Sequence, residues 1–266
     1  MSTICHYPTD GSDAPWEVLQ LVLPTPKWRP GGPGRNPLEL RRVINGIFSV
    51  NKTGCPWRMM PTDFGHAPTI YGYFHRWRHA GVWGRVMDTL RQWERQSQGR
   101  LPAPSACCVE SQRIKTATQD EDVGLDGNKK ITGRTRHSLV DTLGLSVAVV
   151  VTAAHTDERQ GLVTLLQRDV ASGVKRLRKI GVDGGSQAQW LGDWGRSITQ
   201  THKIDLEVVE HTGKGFQVVQ HRWQVERTFA WLVNDRRHSR DSERLTVSSE
   251  AMIQMSMIRL LLKRLA

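Results

Sequence analysis

The stretch that decides the fold reads Arg134-Thr-Arg-His-Ser-Leu-Val-Asp141, then Thr142-Leu143-Gly144, then Leu145-Ser-Val-Ala-Val-Val-Val-Thr-Ala153. Two extended runs joined by a short turn that ends in glycine predict a pair of strands. Another extended run, Cys107 to Thr116, precedes them, and Lys179 to Asp183 and Leu206 to His211 follow. Helical spacing falls between and after these runs, at 157–169, 186–195, 221–234 and 248–265. Three strands followed by strands alternating with helices predict an α/β arrangement on a mixed sheet.

Upstream of this region the texture is helical. Residues 97–106 have the composition of a linker, so the domain boundary is placed there, dividing the chain into 1–105 and 106–266. Ser12 or Asp13 caps a short helix carrying Trp16, Leu19 and Leu23, which Pro24 ends. Residues 24–37 hold five prolines and three glycines and read as a basic loop, with Asn36-Pro37 as a helix start. Leu40, Val43, Ile44, Ile47 and Phe48 form one helical face, with Gly54 as its stop. A helix from Thr69 and another carrying Trp83, Val86, Met87, Leu90 and Trp93 flank Gly81. Helix, glycine turn and helix, with Arg76, Arg78 and Arg85 beside the turn, outline a helix-turn-helix, although a packed helical bundle has the same spacing.

The 266 residues include 37 Lys and Arg against 26 Asp and Glu, and mean hydropathy is −0.46. The charge is uneven. Residues 1–105 carry +6, 106–212 balance at zero and 213–266 carry +5. A neutral centre with basic flanks suits a catalytic core held on a phosphate backbone, and a solvated surface accounts for the same numbers. The longest nearly apolar run, Leu145 to Ala154, is too short to span a bilayer, and no export signal is read at the N-terminus, so a cytoplasmic protein is expected. Cys5, Cys55, Cys107 and Cys108 lack zinc spacing and read as reduced thiols.

Three acids stand out. Asp183 closes an apolar strand before Gly184-Gly185, at the strand end where open α/β sheets bind ligands. Glu110 lies inside the strand Cys107-Cys-Val-Glu-Ser-Gln112, where an uncompensated charge is costly. Glu226 sits in Arg222-Trp-Gln-Val-Glu-Arg-Thr-Phe-Ala-Trp-Leu232, one helical turn from Arg222, a spacing that also fits a surface ion pair. Two acids on neighbouring strands and one on a helix can converge to hold two Mg²⁺ ions for phosphodiester chemistry. Arg134 and Arg136 share one face of their strand, and Arg236, Arg237 and Arg240 follow the last acid's helix. All five are candidate DNA contacts, beside the alternative of a solvated surface. On the final helix, Met252, Met255, Ile258 and Leu262 form a stripe read as core packing.

The Arg-Trp-x-Val-Glu-Arg-Thr-Phe-Ala-Trp-Leu segment around Glu226, Val182-Asp183-Gly-Gly, and Gly133-Arg-x-Arg-His-x-Leu-Val-Asp-Thr-Leu-Gly144 resemble the bacterial insertion-sequence DDE transposases of the insertion sequence five group. So do Thr53-Gly-Cys-Pro-Trp-Arg-Met-Met-Pro61, Tyr71-x-Tyr-Phe-x-x-Trp77 and Gly81-Val-Trp83, and the likeness spans about Trp16 to Arg244. The resemblance implies a ribonuclease H-like mixed-sheet core behind an all-α end-binding domain. It also implies Mg²⁺-dependent cutting, with Mn²⁺ as substitute, at terminal inverted repeats and joining of the freed 3′ hydroxyl to target DNA. Glu110, Asp183 and Glu226 would be catalytic metal ligands, with Arg222 on phosphate. Double-stranded DNA is the implied partner, with assembly into a homo-oligomer on the element ends, no membrane, and a place at the bacterial nucleoid.

The chain departs from the pattern at its first acid. The family has Asp where this chain has Glu110, and the position three before Arg222, where relatives carry Tyr, is Val219. Glutamate reaches roughly 1.5 Å further than aspartate, against the near-octahedral demand of Mg²⁺. The chain therefore reads as a transposase whose site is impaired by Glu110. A DNA-binding derivative that does not cut and a nuclease of the same fold without strand transfer are the alternatives.

Overall fold

In the computed structural model, residues 7–25, 36–117, 121–127, 129–170, 176–183, 204–209 and 222–266 are described. The helical region opens with α1 (Asp13–Gln20) and α2 (Leu40–Thr53), followed by α3 (Ala67–His79) and α4 (Val82–Ser97). Gly54, which caps α2, and Gly81, between α3 and α4, adopt φ of 72° and 64°, the left-handed conformation that a Cβ disfavours. Helix α2 starts at Leu40 rather than at Asn36-Pro37, because the buried face of Val43, Ile44, Ile47 and Phe48 sets its extent. Helix α3 begins two residues before Thr69, since Pro68 fits a first turn that needs no N–H donor. Ile70 and Phe74 of α3 pack with Trp83, Val86 and Leu90 of α4 in the core, and the Trp83 indole donates to the Phe74 carbonyl at 3.2 Å.

The second region supplies β1 (Ala106–Lys115), β2 (Gly124–Asp126), β3 (Ile131–Asp141), β4 (Ser146–Ala153), α5 (Glu158–Leu165), β5 (Lys179–Asp183), β6 (Asp205–Val209) and α6 (Arg222–Val233). Strands β3 and β4 are the expected pair, and the sheet runs β2-β3-β1-β5-β6 with β4 also on β3. β1, β3 and β4 are antiparallel neighbours, whereas β1, β5 and β6 are parallel, so the sheet is mixed. Leu139, Val150, Leu162, Leu165 and Ile180 fill the core under α5. The three-residue β2 was not expected, and α5 gives way to a π turn at Leu166–Val170. The helix expected at 186–195 lies outside the described residues, as does most of the 24–37 loop.

The chain forms two compact units that differ from a single cut at 105/106. The first takes in residues to Gln98 together with Asn234–Ser239 and Ala251–Ala266, and the second takes in Gly99–Val233 and Arg240–Glu250. The reason is the last helix, α7 (Thr246–Leu265). Its Met252, Met255, Ile258 and Leu262 are buried, as the stripe implied, but they complete the helical unit. Asn51 of α2 donates to the Met252 carbonyl at 3.2 Å and to the Ser256 hydroxyl at 2.8 Å. Ser256 in turn donates to buried Asp235 at 2.6 Å. Among the described residues no helix is long and apolar enough to cross a membrane, and Cys55, Cys107 and Cys108 form no disulfide.

Candidate active site

Parallel pairing of β1 with β5 sets Cys107 opposite Ile180 and Cys108 opposite Gly181. Carried two residues further along both strands, the same register brings Glu110 level with Asp183 at the carboxyl end of β5, in the same phase of the pleat. Sequence alone placed both acids on strands but did not supply this alignment. Glu110 is half-buried, while the side chain of Asp183 lies outside the described part of the structure. Burial, and then the charges of Glu110 and Glu207, push the Cys108 thiol up to about 11, so it is no nucleophile at neutral pH.

Helix α6 packs over β1 and β3 and is fastened to the turn after β3. The Thr228 hydroxyl donates to the Gly144 carbonyl at 2.8 Å, and Arg227 Nη2 donates to the Leu143 carbonyl at 2.9 Å. The Arg227 guanidinium lies 4.7 Å over the Trp231 ring. Thr228, Phe229 and Leu232 face inward, and Glu226 is exposed on the same helix. Arg222 opens α6, and its side chain lies outside the described part. Glu110, Asp183 and Glu226 offer only carboxylate oxygens, the donor chemistry that Mg²⁺ and Mn²⁺ prefer, and this donor set fits such an ion. Among the described residues, to which the Asp183 side chain does not belong, no three His, Cys, Asp or Glu gather as a metal-holding group.

The expected basic contacts divide by burial. Arg134 and Arg136 do share a face, but that face is interior, with exposures of 0% and 1%. Arg134 Nη1 donates to the Glu243 carbonyl at 2.7 Å and lies 3.3 Å from Asp241, while its Nη2 donates to the Arg244 carbonyl at 2.9 Å. Burial also lowers Arg136 to about 10. A phosphate contact by this pair does not go with such burial, and Arg134 instead ties the 241–244 segment to β3. Arg237 is likewise buried and donates to the Cys55 carbonyl at 2.9 Å. Arg76, Arg236 and Arg240 are exposed, and Arg78 is partly exposed beside His79. Arg76 lies 4.8 Å over the Tyr73 ring, and Arg85 donates to the Ala80 carbonyl at 2.7 Å, closing the end of α3.

Sequence reasoning passed over a polar chain beside Glu110. Ser111 Oγ is 2.7 Å from His137 Nδ1, and His137 Nε2 is 3.0 Å from Thr152 Oγ1. The signal present in the sequence was a single histidine within Arg134-Thr-Arg-His-Ser-Leu139, which alone marks nothing more than a satisfied interior ring.

Residues 12–87 match the family model described as "Putative transposase of IS4/5 family", and residues 101–261 match the model described as "Transposase DDE domain". An 81-residue stretch is 37% identical to the insertion element IS402 uncharacterized 16.2 kDa protein of Burkholderia cepacia, covering 29% of this chain and 55% of that protein. The chain thus spans about half the length of the curated relative it matches. No solved structure matches it.

Proposed function

Since the chain belongs to the DDE transposases of the IS4/5 type, we propose that it cuts the ends of its own insertion element and joins them to target DNA, with Glu110, Asp183 and Glu226 as its acids. The DDE domain implies a ribonuclease H-like fold, with which the mixed sheet agrees, and a divalent-metal-dependent reaction on DNA. The observation that supports the reading is the parallel β1–β5 register, which, extended two residues past Cys108–Gly181, brings Glu110 level with Asp183 under the helix that bears Glu226.

The three carboxylates would hold Mg²⁺, with Mn²⁺ as a substitute. When bound, the metal activates a water or hydroxyl nucleophile and stabilises the leaving oxygen in phosphodiester displacement. The chain's own residues do the rest. The Thr228 and Arg227 bonds to the 143–144 turn fix α6 and so the place of Glu226. Arg222 at the head of α6, and the exposed Arg236 and Arg240, bind phosphate oxygens. Helices α3 and α4, with Arg76 and Arg78, act as a helix-turn-helix on the terminal inverted repeats. Strand transfer brings two ends together, which calls for more than one copy of the chain.

The test is 3′-end cleavage of a labelled terminal repeat by the full chain. Asp183→Ala and Glu226→Ala should each abolish cutting while leaving the band shift on the same duplex. Undiminished cleavage by either variant removes that residue from the site. A second reading, a DNA-binding protein that no longer cuts, is favoured by Glu110 standing one methylene longer than Asp at the register position facing Asp183; comparing wild type with Glu110→Asp separates the two.

A further inference from the structure

Glu110 and Ser111 are neighbours on β1, and the pleat sends successive side chains to opposite faces of the sheet. On the Ser111 face a polar chain crosses three strands. Ser111 pairs with His137 of β3 in the strand register, and the ring reaches Thr152 of β4. The direction of the bonds follows from the far end. The Thr152 hydroxyl donates to the Ala153 carbonyl at 3.3 Å, so its oxygen accepts from His137 Nε2–H. Nδ1 is then left as acceptor for the Ser111 hydroxyl at 2.7 Å.

The ring itself has no room to move. His137 is fully buried, and Gly161 of α5 sits so close that an added Cβ would lie 2.0 Å from its Cε1. The ring is held by hydroxyls at both nitrogens and by a helix on its face, so Ser111 is tied to a rigid post. The peptide joining Glu110 to Ser111 is fixed with it. We propose that His137 is a positioning residue for the first acid: acting through Ser111, it sets the height of β1 at Glu110 relative to Asp183. The proposal rests on the reading of Glu110 as a metal-binding acid. Residues that orient a ligand from behind typically change metal affinity by about 10–100-fold when removed.

The experiment is direct Mn²⁺ uptake by the full chain, read from the electron paramagnetic resonance signal of the free ion, beside a band shift on the terminal repeat. Ser111→Ala and His137→Phe should raise the half-saturating Mn²⁺ concentration about tenfold and leave the band shift unchanged. Ser111→Thr, which keeps the hydroxyl, should restore the wild-type value. A role confined to general stability predicts that the band shift falls together with Mn²⁺ uptake, and Ser111→Ala keeps the test valid if His137→Phe does not fold. Wild-type uptake by Ser111→Ala while Glu110→Gln loses Mn²⁺ overturns the positioning role alone, as does Ser111→Thr behaving like Ser111→Ala. A wild-type chain that takes up no Mn²⁺, or Glu110→Gln that takes up as much as wild type, overturns the reading of Glu110 and the proposal with it.

Discussion

Gly144 and Arg227 are so close that a Cβ added to Gly144 would stand 2.6 Å from the Arg227 Nη2. Gly144 also holds φ of 78°, which costs an L-residue with a side chain about 1–2 kcal/mol. Arg227 is not free to retreat without loss, since it donates to Leu143 and lies over Trp231. Gly144→Ala should therefore lower the thermal midpoint by several degrees. Arg227→Ala combined with Gly144→Ala should lose less than the sum of the two single variants, because the crowding is then relieved. Strict additivity in thermal unfolding would show that the backbone conformation alone requires glycine.

A fragment ending near residue 105 should not fold on its own. It lacks α7, whose Met252, Met255, Ile258 and Leu262 are buried in the first unit, and it lacks Asp235. Asp235 accepts from Ser256 and lies 3.4 Å from Lys52, so the fragment also loses this link between α2 and the missing segment. The expected result is weak helical circular dichroism and no band shift from residues 1–105, with both gained on joining residues 234–266 to the fragment by a flexible linker. Cooperative unfolding of the short fragment alone would contradict this.

The contribution of His137 to the dependence of stability on pH has a fixed sign. Burial, and then Arg113, lower it to about 4, against roughly 6.5 in the unfolded chain. Above 6.5 neither state binds the proton and the full stability is present. Between 6.5 and 4 the unfolded chain takes up a proton that the fold refuses, so stability falls on acidification, by on the order of 3 kcal/mol at pH 4. His137→Asn lacks this contribution. The stability difference between wild type and variant in urea unfolding should shrink from pH 7 to pH 4, and a constant difference would refute the assignment.

Arg134→Ala should cost about 3–5 kcal/mol, because it removes the cation beside buried Asp241, whose carboxylate keeps only the Glu243 N–H and Ser249 bonds, and takes a donor from the carbonyls of Glu243 and Arg244. Arg240→Ala, on an exposed residue, should change stability by less than about 0.5 kcal/mol. Instead it should weaken DNA binding and make that binding less dependent on salt. Equal thermal midpoints for the two variants would undo this division of the arginines.

The reason Arg134 was read as a surface residue shows what local sequence carries. Alternation along Arg134-Thr135-Arg136-His137 tells which residues share a face, and they do. It does not tell which face is interior, because the carbonyls that satisfy Arg134 come from Glu121, Glu243 and Arg244, far along the chain. Strand β5 was legible to the residue, since Lys179 and the Gly184-Gly185 pair bound a short apolar run. Three-residue β2 has too few residues to show a period. The three acids stand as candidates on their chemistry and on the resemblance. The alignment of Glu110 with Asp183 was not legible, because strand register depends on packing across the 72 residues of intervening chain.

Glu110→Asp should raise cleavage. On the proposed reading of both acids as ligands of one ion, the β1–β5 register carried two residues past Cys108–Gly181 brings Glu110 level with Asp183, and the longer side chain would carry its oxygens about 1.5 Å too far. That displacement is most of a Mg–O bond of about 2.0–2.1 Å, and a misplacement of about 1 Å near the chemistry can cost on the order of 10²-fold in rate. Shortening the side chain by one methylene withdraws the carboxylate without removing a charge or disturbing β1, whose pairing with β3 runs through this position. Activity of the wild type should be weak and larger with Mn²⁺ than with Mg²⁺, and the Asp variant should narrow that gap. Wild type and Glu110→Asp are to be compared on one labelled terminal-repeat duplex under each metal. If the wild type cuts as well as or better than the variant in Mg²⁺, β1 already accommodates the longer acid and Glu110 is the native ligand.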